Sequence, residues 1–111
     1  MADAIGLVDE RIPRIPPFQL GDICIAEGAR SLLSPEIMCR AVARHARGDW
    51  GELNPQEATA NRMSTILGGR LLSEYHDAQG TTFWVITEED RTATSVVLST
   101  ECWTRALKQR G

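Results

Sequence analysis

The sequence predicts an α+β fold: two helices packed on a three-stranded antiparallel meander, with a short N-terminal strand and a C-terminal helix. Three observations carry that prediction. Residues 34–67 contain two helix starts of one design, Ser34-Pro35-Glu36 and Asn54-Pro55-Gln56-Glu57, each followed by apolar residues at 3–4 spacing. After Gly68-Gly69 the period changes, and Leu71 to His76, Thr81 to Thr87 and Thr92 to Leu98 form three runs rich in strand-forming residues. Those runs are parted by Asp77-Ala78-Gln79-Gly80 and Glu88-Glu89-Asp90-Arg91, both of hairpin length, which makes antiparallel pairing the economical arrangement.

Residues 1–17 mix charge with Pro13, Pro16 and Pro17 and read as an extended arm, because proline removes donors and pushes its predecessor toward extended geometry. Residues 18–111 read as one α+β domain. Between Phe18 and Ala26, Ile23 and Ile25 alternate around Cys24, which predicts a short strand; Gly28 to Leu33 reads as a brief helical turn. The helix opened by Ser34 should run to about Ala46 and stop at Gly48. Ile37, Met38, Ala41, Val42 and His45 form its core stripe, and Arg40, Arg44 and Arg47 share another. The helix opened by Asn54 should reach about Leu67, ended by Gly68-Gly69. Its expected buried residues are Ala58, Met63, Ile66 and Leu67, with Asn61 and Arg62 toward the rim. One face of the meander must pack on the helices, since Phe83, Trp84, Val85 and Ile86 would otherwise leave a large apolar patch. Thr100 is placed to cap a last helix carrying Trp103 and Leu107 and ending in the basic residues Arg105, Lys108 and Arg110.

A chain of 111 residues supports a single core. With a net charge of −3, no global field draws the protein to nucleic acid or to an anionic membrane, so nucleic acid is not expected as a direct ligand. Cys24, Cys39 and Cys102 are odd in number and far apart, without a CxxC or a Cys/His cluster. They read as free, mostly buried thiols in a reducing compartment, and neither a metal nor a cofactor is expected. No run approaches the ~18 apolar residues of a membrane span, and the N-terminus lacks the basic and apolar regions of a signal peptide. The expected location is cytoplasmic.

Several tracts carry a resemblance: Leu20-Gly21-Asp22-Ile23, Arg44-His45-Ala46-Arg47-Gly48-Asp49-Trp50-Gly51, Asn61, Gly69-Arg70-Leu71-Leu72-Ser73-Glu74-Tyr75, and Trp84-Val85-Ile86-Thr87-Glu88-Glu89-Asp90-Arg91. Taken in order, from about Leu20 to Glu101, they resemble a family of small proteins of plasmids, phages and other mobile elements, often labelled as the methylation subunit of a type I restriction enzyme. Neither Gly68-Gly69 nor Gly48-x-x-Gly51 forms the glycine-rich strand-to-helix turn of a nucleotide site. No Asn/Asp-Pro-Pro-Tyr/Phe tract is present, and the chain is too short for a methyltransferase domain. The resemblance therefore implies a genomic setting rather than a reaction.

Four groups of residues qualify as candidate sites. In Gly48–Leu53, Trp50 either plugs the core or serves as a recognition residue, flanked by Asp49 and Glu52. The stripe Arg40, Arg44, Arg47 is either a solvated face with salt links or a grip for an acidic partner. Asp90 and Arg91 close a hairpin, with Asp90 bonding turn donors. His45, Glu74, His76, Thr87 and Arg91 are the residues from which an acid–base constellation of the small-ribonuclease type would have to be drawn. Alternation puts Glu74 and His76 on one face, whereas His45 belongs to the inward stripe of a helix. The functional expectation is a non-enzymatic factor binding a host or mobile-element protein through Arg40, Arg44, Arg47, Asp49, Trp50, Glu52, Asp90 and Arg91. A ribonuclease-like toxin is the alternative, and monomer versus homodimer stays open.

Overall fold

A computed structural model describes residues 18–101; the arm 1–17 and nearly all of the expected C-terminal helix lie outside the described residues. The elements are β1 (Asp22–Ile25), α1 (Glu27–Leu32), α2 (Pro35–Ala46), α3 (Pro55–Leu67), β2 (Leu71–His76), β3 (Thr82–Thr87) and β4 (Ala93–Leu98). The class is α+β. The sheet, however, is a mixed one of four strands in the order β1-β4-β3-β2, not a meander of three. β2, β3 and β4 pair antiparallel as the hairpin lengths require, while β1 adds in parallel to the far side of β4. Pairing between opposite ends of the described chain leaves no local turn signal, so the spacing of the sequence does not reveal it.

The helix starts form as their sequences dictate. Ser34 Oγ accepts from the Ile37 amide at 3.1 Å and Pro35 opens α2. Asn54 and Glu57 form a reciprocal capping box at α3, with bonds of 2.8 and 3.3 Å. The short α1 has Ala26 at its cap position, which offers no side-chain acceptor. Its cap comes from the far end of the chain. The Glu101 carboxylate accepts from the amides of Gly28, Ala29 (3.2 Å) and Leu98 (3.1 Å), so it closes both the helix start and the end of β4. A Cβ at residue 28 would press on that carboxylate.

The core lies between the sheet and the helices α1 and α2. Register places Tyr75, Phe83 and Leu98 in one row, and Ser73, Val85 and Val96 in the next, on the face that meets Ala29, Leu33, Met38 and Ala41. Each large apolar side chain removed from water there contributes ~1.5–3 kcal/mol before the entropy of ordering it is counted. The opposite face carries Glu74, His76, Trp84, Ile86 and Val97. Among the described residues no helix is long and apolar enough to cross a membrane.

Two expectations are corrected. The helix α3 does not lay an apolar stripe on the sheet: Met63, Ile66 and Leu67 are exposed, at 47%, 61% and 74%, and its buried residue is Asn61. The reason is that α3 flanks the edge of β2 rather than its face. Asn61 Nδ2 donates to the Leu72 carbonyl at 2.6 Å, and its Oδ1 accepts from the Leu72 amide at 3.2 Å. One side chain thus supplies both partners that a neighbouring strand would have given. Asn61→Ala should cost about 1–2 kcal/mol by removing two bonds from a partly buried strand edge, measured by denaturant unfolding. An unchanged midpoint would show that α3 is held by other contacts. The second correction concerns the thiols: Cys24 and Cys39 are free as expected but exposed, because β1 is an edge strand and Cys39 sits on the flank of α2.

Candidate functional site

The loop after α2 is rigid because its own residues tie it down. Arg44 Nε and Nη2 donate to the two Asp49 carboxylate oxygens at 2.7 and 3.1 Å, a forked pair across five residues. That bond is the main reason the Arg44 pKa is raised and the Asp49 carboxyl is held below its ordinary value. The Asp49 carbonyl accepts from Tyr75 Oη at 2.6 Å, and the Arg44 guanidinium lies 4.7 Å from the Tyr75 ring centre. Burial raises the pKa of the Tyr75 phenol and keeps it neutral. The loop then runs alongside β2: the Glu74 amide donates to the Trp50 carbonyl at 3.1 Å, and the Glu52 amide donates to the Glu74 carbonyl at 2.7 Å. Gly51 permits this approach at φ +75°, where a Cβ would overlap the Glu74 carbonyl oxygen. Together with Asn61, these bonds close the β2 edge of the sheet against strand addition.

Trp50 is 5% exposed and stacks edge-on to His45 with ring centres 5.5 Å apart. Its Nε1 is buried without a hydrogen-bond partner among the described residues. The indole therefore acts by volume and ring contact. On its other side His45 meets the Phe18 ring at 5.7 Å, and Arg91 lies 5.8 Å from that ring's centre.

His45 is the centre of a buried polar chain. Nδ1 lies 2.6 Å from Ser73 Oγ and Nε2 lies 2.8 Å from Thr87 Oγ1; Thr87 Oγ1 lies 2.7 Å from Thr94 Oγ1, which donates to the Leu20 carbonyl at 2.7 Å. The carbonyl fixes the direction of the whole chain. Thr94 must give its proton to Leu20, Thr87 then gives its proton to Thr94, and His45 gives its Nε2 proton to Thr87. Nδ1 is left to accept from Ser73. This satisfies a neutral imidazole, and burial together with the nearby Arg91 charge lowers its pKa to about 3.

Arg91 is engaged in the same assembly. At φ +60° it closes the turn after β3, and its guanidinium donates to the carbonyls of Gly69 (2.6 Å), Ser64 (3.0 Å) and Glu88 (3.0 Å). It clasps the C-terminal end of α3 to the β3–β4 hairpin. Asp90 Oδ1 accepts from the Thr92 amide and hydroxyl at 3.1 and 2.7 Å, as a hairpin-closing aspartate should.

The structure therefore divides the residues singled out by sequence. Trp50 holds the fold from inside, the half-buried Arg91 clasps α3 to the hairpin, and Arg44 with Asp49 forms a partly exposed pair. Arg40, Arg47 and Glu52 face solvent. Arg40 and Arg44 also line a cleft of about 210 Å³ between α2 and the β2–β3 hairpin, together with Tyr75, His76 and Asp77. The acid–base set is not brought together. His45, on α2, meets Thr87 on the sheet face that α2 covers, whereas Glu74 and His76, 3.4 Å apart, lie on the other face, where Glu74 also accepts from Trp84 Nε1 at 3.2 Å. Sequence reasoning missed Ser73 and Thr94, whose only signal is alternation on strands, and it placed Asn61 at the rim. Among the described residues no group of three or more His, Cys, Asp or Glu is placed to hold a metal ion. Comparison with protein-family models, with curated proteins and with solved structures returns no match.

Proposed function

We propose that the protein is a small non-enzymatic binding factor of a mobile genetic element. It acts in the cytoplasm by docking a host or element protein, with interference in a host defence system of the CRISPR or restriction type as the natural case. The observation that carries the binding reading is the division of the acid–base residues. His45 has both ring nitrogens bonded inside the core, on the opposite face of the sheet from Glu74 and His76. The mobile-element setting rests on the resemblance of the sequence tracts. The docking surface in this reading is the arginine side of α2, where Arg40 and Arg47 are exposed and Arg44, paired with Asp49, lines the cleft beside Tyr75 and Asp77. A row of guanidinium groups above a rigid loop suits an acidic patch on a partner protein, with charge setting the association rate.

The test is a capture of partners from the native host with the full chain and with Arg40→Glu/Arg47→Glu. The double reversal should weaken capture at least tenfold without changing the melting temperature, and the purified protein should not cleave RNA. RNA cleavage that disappears on substituting Glu74 or His76 would replace this reading by the enzymatic one.

A further inference from the structure

The two edges of the sheet are finished differently. At β2, Asn61 and the Trp50–Glu52 segment occupy the outward amides and carbonyls of Leu72 and Glu74. At β1 nothing among the described residues pairs with the outer edge. Asp22 and Ala26 donate inward to the carbonyls of Thr92 and Val96, at 2.9 Å each, so strand alternation turns the peptide groups of Ile23 and Ile25 outward. The side chains of those same two residues line an apolar groove of about 380 Å³ on the helix side, with Leu33, Met38 and Val42. Among the residues lining it, Arg30 is the charged one, and its exposed guanidinium makes no hydrogen bond or ion pair with another described residue.

We infer that this edge is a docking site for an extended segment of a partner protein. The segment adds as a fifth strand to β1, sets alternate aliphatic side chains into the groove, and places an acidic side chain against Arg30. Each part of the site asks for one part of that ligand. The peptide groups of Ile23 and Ile25, unpaired among the described residues, call for a backbone in strand geometry, and the groove on one face calls for apolar residues at every second position. A lone cation bordering an otherwise apolar groove calls for a carboxylate. The helix α2 separates this groove from the cleft at Arg40 and Arg44, so the protein presents two different surfaces. The inference rests on the reading of the protein as a binding domain.

The experiment is a selection of random twelve-residue peptides displayed on phage against the full chain. It is followed by binding of the selected peptides to Ile23→Pro and Arg30→Glu. Proline at residue 23 removes an outward donor while the bonds from Asp22 and Ala26 to β4 remain, a placement that edge strands tolerate. Arg30 is exposed, so its reversal leaves folding intact and serves if the proline variant fails to fold. Selected peptides should carry alternating aliphatic residues with one Asp or Glu and slow amide exchange at Ile23 and Ile25 at least tenfold. They should lose binding at least tenfold with either variant. No enrichment, peptides lacking that pattern, or binding indifferent to both variants would overturn the proposal. So would self-association of the chain that Ile23→Pro abolishes, since the edge would then belong to a second copy, and so would binding of decanoate in the absence of any selected peptide. A chain that captures its host partner through Arg40 and Arg47 but selects no groove peptide refutes this inference and leaves the arginine-face reading standing. Groove peptides without partner capture do the opposite.

Discussion

Trp50→Ala is expected to destabilise the protein by ~3–5 kcal/mol, a large share of the ~5–15 kcal/mol that holds a domain of this size together. The indole is 5% exposed, and it packs on an imidazole that is itself fully buried. Truncation would leave a cavity beside the polar chain that His45 organises. At ~4–8 °C for each kcal/mol, the melting temperature should fall by more than ~12 °C, with a matching loss of soluble yield. Trp50→Phe separates volume from hydrogen bonding. Because the indole Nε1 makes no bond among the described residues, a phenyl ring should keep much of the stability that alanine loses. Asp49→Ala should act differently, through the loop: it removes the acceptor for Arg44 and for the Gly51 amide while leaving the ring contact in place. A Trp50→Ala protein that melts within a degree or two of the parent, yet no longer captures a partner, would show that the loop is a recognition surface and not an anchor.

The legibility of this fold in its sequence follows the range of the forces involved. α2 and α3 begin where Ser34-Pro35 and Asn54-Pro55 say they should, because a cap bonds amides two or three residues away. The β2–β3 and β3–β4 hairpins are likewise local. What the sequence does not disclose is set by partners far along the chain. Glu101 caps α1, β1 runs parallel to β4, and Asn61 bonds the backbone of Leu72. The orientation of α3 shows the limit most clearly. Met63, Ile66 and Leu67 have the spacing of a core stripe, but burial of Asn61 against the edge of β2 turns them to solvent. At the candidate site the inward position of His45 was readable from helical spacing. Its dependence on Ser73, Thr87 and Thr94 was not, since each of these hydroxyls is an ordinary strand residue until three strands are brought into register.

Lowering the pH from 7.5 to 5 should destabilise the protein by about 2 kcal/mol through His45 alone. The sign follows from which state binds the proton. In the unfolded chain His45 titrates near its ordinary value of 6.5, whereas in the fold burial and the Arg91 charge lower its pKa to about 3. Between those values the unfolded state carries a proton that the native state refuses, so acid favours unfolding. The stabilisation is fully present above pH 6.5 and is lost as pH falls toward 3, at ~1.4 kcal/mol for each unit well inside that window. The physical cause is burial of the ring, which disfavours the charged imidazolium, with the Arg91 charge acting in the same direction. Asp49 acts in the same direction at lower pH: its depressed pKa gives stability that persists above its ordinary value of 3.8 and is lost below it. The interval from pH 7.5 to 5 lies above the range in which Asp49 contributes. Melting temperatures across it should fall by ~8–16 °C. His45→Gln, which keeps a polar side chain in the pocket but cannot titrate, should start lower and stay level. A parent protein whose melting temperature is flat over that interval, or a glutamine variant that retains the slope, would place the acid-sensitive group elsewhere.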